Sequence, residues 1–220
     1  ENDFKHFLTY DANDNILTDG RQVWDKPTST WVNKTRTLAT YDASNLITKK
    51  EAQSWNNNAW VTFIEFYYTY DSNKNLVEQL QKSSQGANQV YDTYSYDGNN
   101  NLVHRVHQNW TGTAWKNQYQ YFYEYDGHKN NTLGKSEFWN GTGWIPYTLS
   151  LENYDQDNFI KTSSERIWNK TGTKIAGGDS TTFYYHIGTT QVKEMISANN
   201  QLKIYPNPTS GNFKILLENK

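Results

Sequence analysis

Along most of the chain, apolar and polar positions alternate in runs of about ten residues, and a cluster of Asp, Asn and Gly punctuates the runs. "VTFIEFYYTY" (61–70) and "QYQYFYEY" (118–125) interleave aromatic and β-branched residues with polar ones, the period of a β-strand. "DANDN" (11–15), "DSNKN" (71–75) and "DGNNN" (97–101) are turn sequences, built from residues that tolerate positive φ and bond their own backbone. "WTGTAW" (110–115) and "WNGTGW" (139–144) each read as a four-residue hairpin loop closed by a cross-strand tryptophan pair.

The alternation repeats. Tyr-Asp followed by a polar turn occurs at Tyr10, Tyr41, Tyr70, Tyr96, Tyr125 and Tyr154. Trp24, Trp55, Trp110, Trp139 and Trp168 each follow such a tyrosine by 14 residues, and Trp31, Trp60, Trp115 and Trp144 precede the next by 10. The unit is therefore a long β-hairpin of about 29 residues, present six times, with a decayed seventh beginning at Tyr185. Both spacers are even, so tyrosine and tryptophan of one unit share a sheet face unless a bulge intervenes. On that reading one face carries Trp60, Thr62, Ile64, Phe66, Tyr68 and Tyr70, the other Val61, Phe63, Glu65, Tyr67 and Thr69, and neither is dry. The third unit is three residues short and has Ser84 and Gly86 near where tryptophans belong. It reads as a shorter hairpin, or as a notch that admits a partner.

These patterns predict an all-β antiparallel meander of about 12–14 strands, either a curved, superhelical sheet or a wide barrel. Residues 1–198 form the repeat domain and residues 199–220 a separate segment.

Composition sharpens the picture. Ile, Leu, Val and Phe supply 41 of 220 residues, and mean hydropathy is -0.96. The missing apolar mass comes from 9 Trp and 17 Tyr, each able to bury roughly 150–250 Å² while keeping a polar handle. A net charge of -2 argues against a nucleic-acid binder acting through a basic field. No apolar run has the length of a membrane helix, and the absence of cysteine excludes disulfides and thiolate metal sites. Glu-Asn-Asp-Phe at the start is no export leader, so an exported form is expected to have shed one.

The Tyr-Asp repeats between Tyr10 and about Tyr185 resemble the YD/RHS repeats that build spiralling β shells in bacterial surface proteins and toxins. Asn-Ile or Asn-Leu stands at 15–16, 75–76 and 101–102 where those usually have Gly-Arg-Leu. From Gln201 the language changes to "QLKIYPNPTSGNFKILLENK". Its Tyr205, Pro206, Asn207, Pro208, Thr209, Ser210 and Gly211 resemble the opening of the C-terminal sorting domain of type IX secretion cargo. That resemblance implies recognition by the type IX machinery of a Gram-negative bacterium, passage through the periplasm, and delivery to the cell surface or medium. Residues 201–220 match only the start of such a domain.

No catalytic signature is present: no nucleophile elbow, His-Glu-x-x-His, phosphate loop or dinucleotide fingerprint. His104 and His107 are an odd number apart and face opposite ways on one strand. The Asp/Asn turns lack the downstream acid of a calcium loop, and neither metal nor cofactor is expected. The sequons at Asn33, Asn109, Asn140 and Asn169 read as turn composition, and Asp179-Ser180-Thr181 weakly resembles a bacterial O-glycosylation site.

The aromatics are the one constellation with binding chemistry. Trp55, Trp60, Trp110, Trp115, Trp139 and Trp144, spaced among Asn, Gln and Thr, suit the stacking faces and hydroxyls of a polysaccharide or surface glycan, and repetition would add multivalency. The reading is a non-enzymatic, secreted or surface-held β-repeat protein with an adhesive, glycan-binding or structural role. Alternatives are a polysaccharide hydrolase using Glu65, Glu124 or Glu137 with an Asp, or a shell enclosing another polypeptide.

Overall fold

The structure, a computed structural model, describes residues 4–185 in full and residues 192–197 and 202–206 by their backbone. Six strand pairs flank the Tyr-Asp turns. They are β1 (Phe4–Tyr10) and β2 (Ile16–Asp25), β3 (Thr30–Tyr41) and β4 (Ile47–Asn56), β5 (Ala59–Tyr70) and β6 (Leu76–Ser83), β7 (Asn88–Tyr96) and β8 (Leu102–Trp110), β9 (Trp115–Tyr125) and β10 (Asn131–Trp139), and β11 (Trp144–Tyr154) and β12 (Ile160–Trp168). β13 (Ile175–Tyr185), β14 (Val192–Ser197) and β15 (Leu202–Pro206) follow. The chain is an all-β hairpin-repeat protein. It comprises two compact units, Glu1–Tyr123 with Ser136–Ile145, and Glu124–Lys135 with Pro146–Lys220. Within each unit, strands adjacent in sequence pair antiparallel, without crossovers: β1 through β9 in the first and β11 through β15 in the second.

The Tyr-Asp turns are copies of one another. Each spans five residues between strands. Asp11, Asp42, Asp71, Asp97, Asp126 and Asp155 each donate their backbone N–H to the carbonyl four residues on. Each carboxylate accepts the N–H groups two and four residues ahead, as Asp71 does from Asn73 and Asn75 at 2.8 Å. The fourth residue after the tyrosine takes positive φ: Asp14, Asn45, Lys74, Asn100, Lys129 and Asn158 lie at 62–67°. Asp and Asn bear that conformation at low cost, and the side-chain acceptor offsets what remains. Asparagines also tie one turn to the next: Asn15 Nδ2 donates to Asn45 Oδ1 (3.0 Å), Asn75 to Asn100 (2.9 Å) and Asn130 to Asn158 (3.2 Å).

The tyrosine makes the longer tie. Its ring lies across the neighbouring strand, and its hydroxyl donates to the first carbonyl after the preceding repeat's turn: Tyr41 to Ile16 (3.0 Å), Tyr70 to Ile47 (3.0 Å), Tyr96 to Leu76 (2.9 Å), Tyr154 to Asn131 (3.1 Å) and Tyr185 to Ile160 (2.9 Å). Burial pushes the hydroxyl pKa of Tyr70, Tyr96 and Tyr185 upward.

The opposite row of turns varies. Its connections have four, two, four, four, four and six residues between strands. In the two-residue one, Asn57 and Asn58 sit at φ 48° and 61°, the signature of a type I′ hairpin. Gly112 and Gly141 take the same left-handed place, at 97° and 106°, in the two Trp-x-Gly loops. The third repeat closes through Ser83 and Ala87, with Gly86 at φ 77°. It is a shorter hairpin that holds its register without a tryptophan clamp.

Bulges overturn the face assignment made from even spacing. Ala52 pairs with Ile64 but Gln53 with Thr62, leaving Phe63 as the extra residue. Ala52 and Gln53 are consecutive and face opposite ways, so Thr62 and Ile64 do too, although they are two apart. Trp60 and Thr62 thus share a face with Gln53, while Ile64, Phe66, Tyr68 and Tyr70 occupy the other. Equivalent shifts recur between Arg21 and Gln22, Gln81 and Lys82, His107 and Gln108, and Ile167 and Trp168. A second set lies just before the turns, as between Thr69 and Tyr70.

Among the described residues no hydrophobic side chain is fully buried. The buried side chains among them are Gln53, Asp92, Gln120 and Ser136, all polar, and no buried side-chain polar atom of the described residues lacks a partner. Gly20 is buried beneath Phe7, directly opposite on β1, whose ring occupies the space a Cβ would need. Stability therefore rests on half-buried rings and satisfied polar networks. Replacing Tyr96 with Phe keeps the ring and removes one tie; thermal unfolding should show a loss of about 0.5–1.5 kcal/mol, and an unchanged melting temperature would show that the tie contributes nothing.

Candidate ligand-binding surface

The predicted tryptophans meet in pairs. Trp24 stands opposite Trp31, Trp55 opposite Trp60 and Trp110 opposite Trp115. Ring centroids are 5.3, 5.1 and 5.0 Å apart in these pairs, and 5.2 Å for Trp139 and Trp144, with interplanar angles of 64–72°. Edge-to-face contact of this kind adds about 0.5–1.5 kcal/mol per pair beyond area burial. Every indole is half-buried. Some faces are already occupied. Lys5 Nζ lies 4.3 Å over Trp31 and the Arg36 guanidinium 4.4 Å over Trp60, while Tyr91 of the shortened repeat packs 5.4 Å from Trp115. The structure thus joins Trp55 with Trp60, Trp110 with Trp115 and Trp139 with Trp144 as hairpin clamps.

The face carrying Trp60 continues into a polar network that sequence reading missed. Arg36 Nε donates to Gln53 Oε1 (2.7 Å), and Gln53 Nε2 donates to Glu51 (3.1 Å) and Thr62 (3.0 Å). Lys49 Nζ sits between Glu51 (2.7 Å) and Glu65 (2.8 Å), which stand opposite each other. Hydrogen bonds to Glu51 and then Glu65 push the Lys49 pKa above its ordinary value, and the Lys49 bond holds Glu65 below the usual carboxylate range. Tyr67 donates to Glu65 at 3.1 Å, and burial followed by that bond raises its pKa. A glycosidase acid needs its pKa raised, so Lys49 moves Glu65 away from that role. Of the other acids weighed for hydrolysis, Glu137 accepts from Gln120, and the Glu124 backbone carbonyl accepts from the Thr132 hydroxyl at 3.3 Å.

The opposite face holds the most buried charge. The Asp92 side chain is 3% exposed, and its Oδ1 receives Arg105 Nε at 2.9 Å and His107 Nδ1 at 3.0 Å. His107 is its direct cross-strand neighbour and Arg105 lies on the diagonal. The Arg105 guanidinium rests 5.7 Å from the Tyr94 ring and 5.4 Å from Tyr121. His104 lies on the other face, stacked 4.5 Å from Phe122 and 3.3 Å from Gln120, so the two histidines diverge as their spacing requires. Register arithmetic from the turn, where Tyr96 pairs with Leu102, would have opposed Asp92 to Val106; the bulge between Ser95 and Tyr96 brings His107 there instead.

Shallow grooves also mark the surface of the described residues. One of about 250 Å³ in the first unit is lined by His6, Asp19, Arg21, Thr35, Thr37 and the bulged Phe63, which is 49% exposed. Another, about 320 Å³ in the second unit, runs along the turn row past His128, Glu152, Tyr154 and Asp155. The single Tyr154 hydroxyl proton is shared between Glu152, at 2.6 Å, and the Asn131 carbonyl, at 3.1 Å, and burial followed by the Glu152 bond pushes the tyrosine pKa up to about 12. Among the described residues no three His, Asp or Glu side chains gather as a metal site, and no helix is long and apolar enough to cross a membrane. Of the sorting motif, Tyr205 and Pro206 fall in β15, whereas Asn207, Pro208, Thr209, Ser210 and Gly211 lie outside the described residues.

No family model matches the chain, and no curated protein does. Among solved structures, TcdB2-TccC3-Cdc42 is 14% identical with a TM-score of 0.42, over 90% of this chain. The match takes in 11% of that chain, so this one spans about a tenth of its length. A porin-like protein from Bacteroides uniformis is 10% identical with a TM-score of 0.41, over 91% of this chain and 86% of its own. A DUF3836 family protein from Bacteroides vulgatus is 19% identical with a TM-score of 0.30, over 38% and 87%. Likenesses at this level carry nothing about what the chain does.

Asp92 tests how the surface is held. Asp92→Ala should cost about 2–3 kcal/mol in denaturant unfolding, below the usual range for a broken buried ion pair because Arg105 is 34% exposed. A loss under 0.5 kcal/mol would reduce the cluster to an incidental contact.

Proposed function

We propose that the chain is a non-enzymatic, exported β-repeat module that binds polysaccharide along its row of tryptophan-clamped turns. The observation that carries the reading is the recurrence of rigid, half-buried indole pairs at one row of turns. A clamped indole loses little conformational freedom on contact, so an aromatic platform of this kind is inexpensive to use. Trp139 and Trp144 are the favoured pair. Their loop, Asn140 to Gly143, is short and polar, with Asn140 Oδ1 accepting the Thr142 and Gly143 N–H groups at 2.9 Å. Sugar rings stack on such indoles while Asn and Thr meet their hydroxyls.

Export rests on the likeness of Tyr205–Gly211 to the type IX sorting motif. The repeat domain is then the cargo and residues 199–220 the beginning of its address.

Tryptophan fluorescence titration with soluble polysaccharides should give saturable binding at millimolar concentration or tighter, and Trp139→Ala with Trp144→Ala should weaken it about tenfold, the equivalent of 1.4 kcal/mol. Absence of binding to any polysaccharide would remove the glycan role and leave a structural one. Separately, expression in a bacterium with type IX secretion should place the protein at the surface or in the medium, and deletion of residues 201–220 should retain it inside; equal export of both forms would overturn the address.

A further inference from the structure

Two of the tryptophan clamps carry a pair of amides directly beside them. Gln22 stands two residues before Trp24 and Asn33 two after Trp31, so all four lie on one face. Gln22 and Asn33 are direct cross-strand partners, and Gln22 Nε2 donates to Asn33 Oδ1 at 2.9 Å. The same arrangement recurs at Trp110 and Trp115, where Gln108 opposes Asn117 and donates to its Oδ1 at 2.7 Å. One bond between two amides uses one N–H and one carbonyl. It leaves the Gln22 and Gln108 carbonyls and the Asn33 and Asn117 amino groups without a second partner among the described residues. All four side chains are half-buried, and no buried side-chain polar atom of the described residues is unpartnered, so these free carbonyls and amino groups reach solvent. The other clamps differ. Beside Trp55 and Trp60 the places are taken by Gln53 and Thr62, and Gln53 is spent internally: its carbonyl accepts from Arg36 and its amino group gives to Glu51 and Thr62. Trp139 and Trp144 have Glu137 and Pro146 at those spacings.

We infer that Gln22 with Asn33, and Gln108 with Asn117, are hydroxyl-reading subsites for a polysaccharide whose sugars keep adjacent, unsubstituted hydroxyls. The free carbonyl accepts from one hydroxyl, the free amino group donates to its neighbour, and the sugar ring stacks on the indoles alongside. The inference rests on the saccharide reading and deepens it. Each amide is fixed on one side by its partner, so an acceptor and a donor are held next to each other. That pair complements two adjacent hydroxyls, each able to give or take a proton. A site built to bond hydroxyls discriminates against a ligand that lacks them, because its polar groups then lose water without replacement. An indole pair alone stacks on capped and uncapped sugars alike. Trp139 and Trp144 therefore supply stacking, and the two amide-bearing clamps supply selectivity.

The experiment titrates the tryptophan fluorescence of the full chain with a soluble β-glucan, a xylan and a mannan. Each is also used in O-methylated form, which keeps the sugar rings and caps the hydroxyls. A native polymer that binds should do so about three- to tenfold more tightly than its methylated form, the effect of one hydrogen bond. Gln22→Met with Gln108→Met, close to glutamine in shape, should bring that ratio towards one, and Asn33→Leu with Asn117→Leu should do the same. Gln81→Met breaks the 3.0 Å amide bond to Gln89 in the hairpin without tryptophans and should leave the ratio unchanged. Double variants that keep the wild-type preference, or lose affinity equally for both forms, overturn the inference and leave the saccharide reading standing. So does a ratio that collapses equally in Gln81→Met. Failure of the unaltered chain to bind any of the three polymers removes the saccharide reading, and this inference with it.

Discussion

A tyrosine hydroxyl given to a backbone carbonyl one hairpin back is the interaction on which this architecture depends. A lone two-stranded hairpin is marginal in water, and the sequence lacks the aliphatic mass to bury its way out of that difficulty. At Tyr41, Tyr70, Tyr96, Tyr154 and Tyr185 the tie fixes the distance and register to the preceding repeat at one end of the strands. The aspartate beside it closes the turn so that the tyrosine always leaves the strand at the same place. Five equivalent bonds, each of 2.9–3.1 Å, show how little the geometry varies.

With that register set, the faces can be polar. No apolar side chain is fully buried among the described residues, and the interior positions belong to Gln53, Asp92, Gln120 and Ser136. Such groups stabilise only when satisfied: Gln53 lies in the Lys49 network across β3, β4 and β5, Asp92 is met by Arg105 and His107 of β8, and Gln120 by His104 and Glu137. Rings then shield the charges: Tyr94 and Tyr121 beside Arg105, Tyr67 beside Lys49 and Lys82. The tyrosines and tryptophans thus serve as cover for ionic cross-strand contacts more than as a dry core.

Much of this was legible from residue spacing. The strands, the two rows of turns, the tryptophan pairs and the divergence of His104 from His107 all follow from periodicity and turn chemistry. Face assignment failed at Phe63 because a bulge adds a residue to one strand without a compositional mark; Phe63 is as good a strand residue as Ile64. The Asp92 cluster escaped for a related reason. Asp92, Arg105 and His107 look like ordinary surface residues until the register that opposes 92 to 107 is known. The tyrosine tie was hidden because its acceptor is a backbone carbonyl, which no side-chain pattern records.

The two rows of turns obey different rules, and that has an evolutionary and a practical consequence. Every Tyr-Asp connection has five residues, whereas those opposite range from two to six, and one has lost its indoles without disturbing its neighbours. Insertions, deletions and recombination can therefore diversify one rim while the other keeps the frame. A scaffold with a conserved spine and an editable margin lends itself to loop grafting, with each repeat offering a separate place to display a foreign sequence.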